Sequence, residues 1–367
     1  MLTFCSLLMF AEKWIFNRLP NYFATFDPTS PILHPKPTIL SMKSSVSPDI
    51  DQQMAQDVLQ GLTQTPRRLP SRYFYDDRGS QLFQDIMRMD TYYPMNCEYD
   101  IFRQQTDQVL DFFSSPEKQF RLVEFGAGDG YKTKVLLKRM LERGFNFTYL
   151  PIDISEGAID TLADSINEDL PRVDFQAVVG DYFDALHQIN AAQHPNEHKV
   201  VLFLGSNIGN FTRAAALEFL QALAKEMKPQ DRALIGFDLK KDPKVILPAY
   251  SDPWGITRAF NLNLLTRFNR ELGANFDIDT WDHYASYDPI SGETKSYLLS
   301  KATQRVHIES LERSFSFSAW EPIWTELSQK YDYTMIRDLA KSAGFKVVEN
   351  LTDERHYYVN SVWEKVQ

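Results

Sequence analysis

The amino-acid sequence predicts an α/β fold in which a mainly parallel sheet ends in an antiparallel hairpin. Short apolar runs alternate with helical patterns between residues 119 and 238, which is typical of parallel strands joined by right-handed crossovers. Two later apolar runs, 345–351 and 357–366, are separated by too few residues for a parallel crossover, so they should pair antiparallel. Between these regions, residues 255–317 show a long helical pattern followed by runs of period two, which indicates an inserted α+β segment.

The chain before the first sheet strand divides into an extension and a helical region. Residues 1–47 contain a short apolar run and then a stretch rich in Pro, Ser and Thr, so we expect a disordered extension and hypothesise that Met42 is the true start. The apolar run is too short to span a bilayer and follows no basic residue, so a secretory signal is not expected. Helical spacing predicts helices over 49–62 and 81–87, with a covering loop at 72–79.

The repeating region defines the sheet in order. Apolar runs predict strands at 119–125, 148–152, 175–179, 199–204 and 233–238, and helical patterns predict helices at 132–142, 158–167, 213–226 and 334–343. A parallel, Rossmann-like sheet closed by an antiparallel C-terminal hairpin is more typical of class I methyltransferases than of nicotinamide-binding domains. We therefore expect a cofactor-binding domain in residues 48–240 and 333–367, and an inserted α+β substrate domain in residues 241–332.

Composition excludes several classes of protein. The 367 residues are 43% hydrophobic and 24% charged, near the averages of globular proteins. The net charge of −10 has the wrong sign for binding a phosphate backbone, so no nucleic-acid partner is expected. Two cysteines cannot form a disulfide framework, and they fit a reducing compartment. We expect a cytoplasmic monomer that acts on a small molecule and does not bind membranes.

Glycines and acidic residues follow successive predicted strands. The run Glu124 to Gly130 has the spacing E-x-G-x-G-x-G, which suits the amino-acid part of S-adenosylmethionine better than a pyrophosphate. Asp153 ends the next strand, where a carboxylate can accept both ribose hydroxyls. Asp181 follows the third strand beside Tyr182 and can hold an adenine amino group. Taken singly, these residues are also consistent with a tight turn, a helix cap and a turn residue, but together they predict a nucleotide-type site.

The segment after the fourth strand, Leu204 to Phe211, contains two asparagines and two glycines. A methyltransferase presents its substrate to the methyl group at this position, and an amide side chain can orient an amine or a carboxylate there. The alternative is that Asn210 or Thr212 simply caps the following helix.

Longer motifs identify a family. The chain resembles the histidine-specific Nα-methyltransferases of ergothioneine biosynthesis, which make hercynine from histidine and S-adenosylmethionine. The resemblance extends from about Pro70 to the C-terminus, and fungal dimethylallyltryptophan N-methyltransferases are similar to the same family. Its motifs are the segments 73–80, 92–94, 204–210, 236–242, 249–250, 260–265, 269–272 and 324–328.

The resemblance implies a role for particular residues. Those expected around the methyl donor S-adenosylmethionine are Tyr75, Gly126, Lys132, Asp153, Asp181 and Tyr182. Those expected around the substrate are Tyr92, Asn210 and Tyr250 for the amino-acid head group, and Glu326 and Ser328 for the imidazole. Tyr92 and Asn210 are also the expected catalytic residues, because they would aim the amine at the methyl group. Lys132, near the start of its helix, is expected to pair with the methionyl carboxylate.

Glu326 is the expected substrate discriminator. A carboxylate and a hydroxyl together can satisfy both imidazole nitrogens, whereas an indole would leave the carboxylate badly paired. Without the resemblance, Glu326 would be interpreted as a solvated carboxylate at a helix start. One departure concerns Ser296, which stands near a position where histidine enzymes of the family often have methionine.

Two alternatives remain open on the sequence. One is N-methylation of another aromatic amino acid or derivative, such as dimethylallyltryptophan, and the other is a catalytically silent protein that binds S-adenosylmethionine. No metal is expected: His194 and His198 are spaced like ligands, but Pro195 and Asn196 place them in a loop with no nearby cysteine.

Overall fold

The structure is a computed structural model, and it describes residues 38–41, 50–115, 118–191 and 197–366. The described residues belong to one compact unit. The start at Met42 and most of the expected extension lie outside the described residues. Within that extension, however, Thr38–Ser41 forms a strand that pairs in parallel with residues 176–179.

Thirteen strands and ten α-helices make up the described chain. The strands are β1 (Thr38–Ser41), β2 (Phe120–Phe125), β3 (Phe147–Asp153), β4 (Asp174–Val179), β5 (His198–Phe203), β6 (Arg232–Asp238), β7 (Trp281–Asp288), β8 (Glu293–Ser300), β9 (Gln304–Ile308), β10 (Arg313–Phe317), β11 (Pro322–Gln329), β12 (Phe345–Thr352) and β13 (Tyr358–Lys365). The helices are α1 (Ile50–Thr63), α2 (Asp77–Met87), α3 (Tyr93–Asp111), α4 (Thr133–Glu142), α5 (Glu156–Asp169), α6 (Tyr182–Ala191), α7 (Arg213–Lys225), α8 (Pro243–Tyr250), α9 (Ile256–Leu272) and α10 (Tyr333–Ala343).

The main sheet has eight strands in the order β1-β4-β3-β2-β5-β6-β13-β12. The strands from β1 to β6 are parallel, while β13 is antiparallel to both β6 and β12. This confirms the α/β, Rossmann-like class I methyltransferase sheet with an antiparallel C-terminal hairpin. Because the carboxyl ends of parallel strands meet at one edge, the segments after β2, β3, β4, β5 and β6 all lie along that edge.

Helices cover both faces of this sheet. The helices α3, α4 and α5 bury their apolar sides in the core on one face, and α6, α7 and α10 do so on the other. Adjacent strand residues alternate between the two cores: Leu122 belongs to the first and Val123 to the second. Burying one such side chain fully contributes about 1.5–3 kcal/mol, so the two cores hold the edge loops on a rigid base.

A third core lies in the inserted segment. The strands β7, β8 and β11 form an antiparallel sheet, β9 and β10 form a hairpin, and α9 packs its apolar side against them. The helices α1 and α2 contribute Met54, Val58, Leu82 and Ile86 to the same core. Residues 50–89 therefore pack with the inserted segment, whereas we had expected them with the sheet, and the proposed domain bounds remain a prediction.

Several elements differ from the sequence expectations, including α6 and α8, which were not predicted. The helix α3 was not predicted, and it has proline in its first turn, where the missing N–H is harmless. The expected loop at 72–79 is partly helical, since α2 begins at Asp77 and Asp76 caps it by accepting a hydrogen bond from the Gly79 N–H at 2.7 Å. Strand β11 carries Glu326, which therefore lies on a sheet and not at a helix start. Within the described residues, no helix is both long and apolar enough to cross a membrane.

Candidate active site

A pocket with an empty volume of about 610 Å³ opens beside the carboxyl edge of the main sheet. Residues expected at the site line it together, although they come from distant parts of the chain: Tyr75, Tyr92, Asn210, Tyr250, Glu326 and Ser328. The expected substrate residues are thus brought to one place, and Tyr75 of the cofactor set lies with them.

The turn after β2 leaves room that only a glycine can provide. Gly126 has φ of +66°, and a Cβ atom added there would lie 2.9 Å from the hydroxyl of Tyr182. The ring of Tyr182 stacks on Phe125 with a centroid distance of 4.7 Å and an angle of 9°. Gly126, the stacked ring of Tyr182 and the end of β2, here called the cradle, therefore pack closely together.

Glu124 fixes the base of this cradle. Its buried carboxyl group accepts hydrogen bonds from Tyr149 on β3 at 2.5 Å and from Thr133 at the start of α4 at 2.7 Å. Burial raises the pKa of Glu124 to about 7, although both hydrogen bonds act in the opposite direction. The glycine turn is consequently held at both ends by one side chain.

Asp153 and Asp181 occupy the edge in different ways. Asp153 accepts a hydrogen bond from the Ser155 N–H at 2.9 Å, and it is Ser155, not Asp153, that caps α5. Burial raises the pKa of Asp153. Asp181 is exposed and accepts from the N–H groups of Phe183 and Asp184 at the start of α6, at 2.8 and 3.4 Å. Asp181 therefore acts as a turn residue, as in the alternative interpretation of the sequence. Its contact with adenine remains a prediction.

Lys132 is paired with a carboxylate that the sequence analysis missed. Its ammonium group contacts Glu98, whose side chain is fully buried. The carboxylate of Glu98 also accepts from the Gly205 N–H at 2.9 Å and from the Tyr358 hydroxyl at 3.0 Å. Glu98 therefore holds Lys132 next to the loop after β5, at the edge where the methionyl carboxylate is expected.

Aromatic side chains form one wall of the pocket. The rings of Tyr75 and Phe83 meet edge to face at 5.4 Å, Tyr75 meets Phe260 at 5.7 Å, and Phe83 meets Tyr92 at 6.3 Å. Burial raises the pKa of Tyr92 well above the usual value, and the neighbouring carboxyl group of Glu326 adds to this effect. This phenol stays neutral, so it can donate a hydrogen bond and present a ring face but cannot serve as a base near neutral pH.

Asn210 lies at the end of a 3₁₀ turn, Asn207–Asn210, that follows β5. The turn is preceded by Ser206 in the left-handed conformation, with φ of 56°. Thr212 caps α7 by accepting from the Ala215 N–H at 3.3 Å, so the capping alternative applies to Thr212. Asn210 lines the pocket with its side chain available for a ligand.

Glu326 faces the pocket from β11 and pairs across the sheet with Ser296 on β8. The hydroxyl of Ser296 donates to Oε2 of Glu326 at 3.1 Å. A bulge between Trp324 and Glu326 shifts the register at this point, a feature that often redirects side chains near sites. Burial raises the pKa of Glu326, whereas Ser296 and Lys330 act to lower it.

Tyr250 and Ser328, expected at opposite ends of the substrate, contact each other. Their hydroxyl oxygens are 2.8 Å apart, and the ammonium group of Lys330 lies 2.5 Å from the first and 2.8 Å from the second. Sequence reasoning missed Lys330. A signal was present, since residues 326, 328 and 330 alternate and therefore share one face of an extended strand.

Asp238, at the end of β6, compensates the positive charge of Lys330. Its carboxylate lies 2.7 Å from the ammonium of Lys330 and 2.5 Å from that of Lys241. It also accepts from the Tyr93 hydroxyl at 2.9 Å. Burial acts to raise the pKa of Asp238, but the two lysines outweigh it and hold that pKa below its usual value.

Of the two histidines that the sequence analysis places in a loop, His198 instead begins strand β5. His194 lies outside the described residues, and His198 contacts the carbonyl oxygen of Phe113 at 3.1 Å. Among the described residues there is no group of three or more His, Cys, Asp or Glu side chains that could hold a metal ion.

Comparison with known proteins places this geometry in context. Residues 54–365 match a family described as "Histidine-specific methyltransferase, SAM-dependent". The chain is 35% identical over 301 residues to a histidine N-alpha-methyltransferase of Mycobacterium tuberculosis, covering 82% of this chain and 91% of that protein. It is 29% identical over 285 residues to ergothioneine biosynthesis protein 1 of Schizosaccharomyces pombe, covering 77% and 37%. It is 26% identical over 313 residues to 4-dimethylallyltryptophan N-methyltransferase easF of Claviceps fusiformis, covering 80% and 87%.

Proposed function

The chain belongs to the family of histidine-specific, S-adenosylmethionine-dependent methyltransferases, and we propose that it transfers three methyl groups to the α-amine of L-histidine, giving hercynine. The observation that carries this proposal is the pocket itself. It combines a carboxyl group, a pair of hydroxyls and an aromatic wall within reach of one small amino acid. The family and the sheet make the chain an N-methyltransferase that uses S-adenosylmethionine as its methyl donor.

The edge of the sheet fits this donor. At the cradle Gly126 presents backbone without a Cβ, and Asp153 offers a half-buried carboxylate for ribose hydroxyls. Lys132, paired with Glu98, places a cation near the same edge. Tyr182 is stacked in place beside Gly126 and can contact the nucleoside. When bound, S-adenosylmethionine supplies an electrophilic methyl group on its sulfonium.

Glu326 and Ser328 are assigned to the imidazole. A neutral imidazole has one N–H and one acceptor nitrogen, so a carboxylate and a hydroxyl satisfy both. Buried polar groups that lose their partners cost about 1–3 kcal/mol each, so an apolar ring in this position should be strongly disfavoured. We assign substrate discrimination to Glu326 for this reason.

Tyr92 and Asn210 are assigned to the amino-acid head group. Each transfer requires a neutral amine, so the ammonium loses a proton before each new N–C bond forms and the S–C bond breaks. Three transfers therefore release three protons and leave a quaternary ammonium. Because Tyr92 stays a neutral phenol, its role is to orient the amine and offer a ring face to the growing cation. Positioning of this kind can supply a large share of the acceleration.

Two alternatives predict different results. An indole has one N–H and no second ring nitrogen, so a tryptophan derivative would leave a polar group of the pocket unpaired. A silent binding protein would have no need to keep both sets of residues around one pocket.

Methylation of L-histidine by the purified chain, followed by mass spectrometry over time, tests the proposal. We expect mono-, di- and trimethylated histidine in sequence, with the trimethyl form as the end product. The parallel reactions contain L-tryptophan and 4-dimethylallyltryptophan. Methylation of either of these with none on histidine would overturn the assignment.

A further inference from the structure

A buried lysine contacts two of the hydroxyls that line the pocket. Lys330 Nζ lies 2.5 Å from Tyr250 Oη, 2.8 Å from Ser328 Oγ and 2.7 Å from Asp238 Oδ2. The side chains of Lys330 and Asp238 are 0% and 1% exposed. The hydroxyls of Tyr250 and Ser328, here called the hydroxyl pair, are 2.8 Å apart. These four side chains form a closed polar cluster, and only the hydroxyl pair and Asp238 also reach the pocket.

The hydrogen bonds within this cluster determine whether its hydroxyls can donate to or accept from a ligand. An ammonium group has three N–H donors and no acceptor, and Lys330 has three oxygen partners. Both oxygens of the hydroxyl pair therefore accept a hydrogen bond from Lys330. The contact between Tyr250 and Ser328 uses one of the two hydroxyl protons, whichever residue supplies it. The other proton remains free, and its oxygen already accepts two hydrogen bonds, so that hydroxyl can only donate.

We propose that Lys330 is a positioning residue that fixes the hydroxyl pair as a hydrogen-bond donor toward the substrate ring. The inference rests on the proposed function, because it assigns the free proton to the acceptor nitrogen of the histidine imidazole. Glu326, two residues before Ser328, takes the ring N–H. The pocket then selects a ring that has both an N–H and an acceptor nitrogen.

Without Lys330, this selection should weaken. Each hydroxyl of the pair would have a free lone pair and could turn to accept or donate. A ring that lacks the acceptor nitrogen would then no longer leave a hydroxyl proton of the pair without an acceptor. Such a ring is found in the two pyrrolylalanine isomers, which keep a ring N–H at one position or the other and have no acceptor nitrogen.

Lys241 provides a matched control. It pairs with the same carboxylate, at 2.5 Å from Oδ1 of Asp238, and its side chain is 5% exposed. Its hydroxyl partner is Tyr93, at 3.1 Å, and not the hydroxyl pair. The variant Lys241→Met therefore removes a comparable ion pair and leaves the contacts of Lys330 in place.

The experiment compares kcat/KM for L-histidine with kcat/KM for each pyrrolylalanine isomer. In wild type, a pyrrole ring leaves the free hydroxyl proton without an acceptor, and this cost favours histidine. Lys330→Met removes the cost, so we expect the preference for histidine to fall about ten-fold or more. In Lys241→Met, the preference should stay within about three-fold of wild type. An equal loss of kcat/KM on all three compounds in Lys330→Met would overturn the proposal, because a merely structural lysine would affect them alike. Calorimetric binding of S-adenosylmethionine reports whether each variant is folded.

A second variant keeps the test decisive if Lys330→Met does not fold. Ser328→Ala removes half of the hydroxyl pair and leaves the Lys330–Asp238 ion pair intact, and it should lower the same preference about ten-fold. An unchanged preference in Ser328→Ala contradicts the inference. If the wild-type chain methylates no histidine, the proposed function itself is refuted. If it does so but both variants keep its preference, only the role of Lys330 is refuted.

Discussion

Replacing Glu326 by glutamine changes the proposed discriminator while keeping its shape. The substitution removes the negative charge and exchanges one carboxylate oxygen for an NH₂ donor. One oxygen of Glu326 accepts from Ser296 at 3.1 Å, so glutamine can turn its own oxygen to Ser296. Its amide nitrogen would then face the N–H of the imidazole, and two donors would oppose each other.

The size of the effect follows from the contact that is lost. Hydrogen bonds to charged groups contribute about 1.5–3 kcal/mol, and each 1.4 kcal/mol is a factor of ten. We therefore expect kcat/KM for histidine to fall about 10- to 150-fold in Glu326→Gln. Because burial raises the pKa of Glu326, wild type and variant are compared over a range of pH.

The assay measures steady-state release of S-adenosylhomocysteine as the histidine concentration is varied. Binding of S-adenosylmethionine, measured by calorimetry, should match wild type, because Glu326 belongs to the substrate side of the pocket. Glu293→Gln on the neighbouring strand is the control, since Glu293 pairs with Lys295 at 2.6 Å and does not line the pocket. A Glu326→Gln variant with the histidine kinetics of wild type would remove Glu326 from the site.

Three other substitutions test the cofactor edge and the head-group contacts. Asp153→Ala should weaken S-adenosylmethionine binding about 10- to 100-fold by calorimetry, with exposed Asp160→Ala as control, and an unchanged affinity refutes the ribose assignment. Burial raises the pKa of Glu124 from 4.5 to about 7. Between these two pH values the folded chain keeps a proton that the unfolded chain loses. The contribution of Glu124 to stability therefore falls as pH rises from 4.5 to about 7. The unfolding free energy of Glu124→Gln relative to wild type should accordingly rise by about 3 kcal/mol between pH 4.5 and pH 8 in urea titrations, and a flat difference contradicts the raised pKa. Tyr92→Phe should lower kcat about ten-fold yet keep the shape of the pH profile, because the phenol is neutral throughout, and the loss of one limb of that profile would instead identify Tyr92 as a base.

The parallel sheet could be read from the sequence because its strands are short, apolar and separated by clear helical patterns. The final hairpin followed from the short gap before Tyr358, which allows only an antiparallel return. The helix α3 was missed because its apolar side is irregular, and it contains a non-helical residue, Gln105. Regular periodicity, rather than helix length, determined which elements were found.

Only part of the candidate site could be predicted from regular sequence patterns. The positions of Gly126 and Asp153 follow from the rule that ligands bind where parallel strands end. The assignment of Glu326 required the family resemblance, because a single carboxylate in a polar segment carries no sign of burial. Its place on β11 next to Ser296 depends on strand pairing, which the local sequence does not specify.

Buried charges were the hardest part to foresee. Glu98, Asp238 and Lys330 are fully or almost fully buried, and each has an oppositely charged partner. Charged residues are usually exposed, and they are buried only where a partner from elsewhere in the chain compensates the loss of hydration. Such a partner cannot be identified before the fold is known.

The most direct test of the central claim is a competition for the methyl groups. The purified chain is incubated with S-adenosylmethionine and an equimolar mixture of the twenty amino acids, and mass spectrometry scores the methyl groups added to each. The account predicts three methyl groups on histidine and none on the other nineteen. Binding of S-adenosylmethionine without methylation of histidine would contradict it.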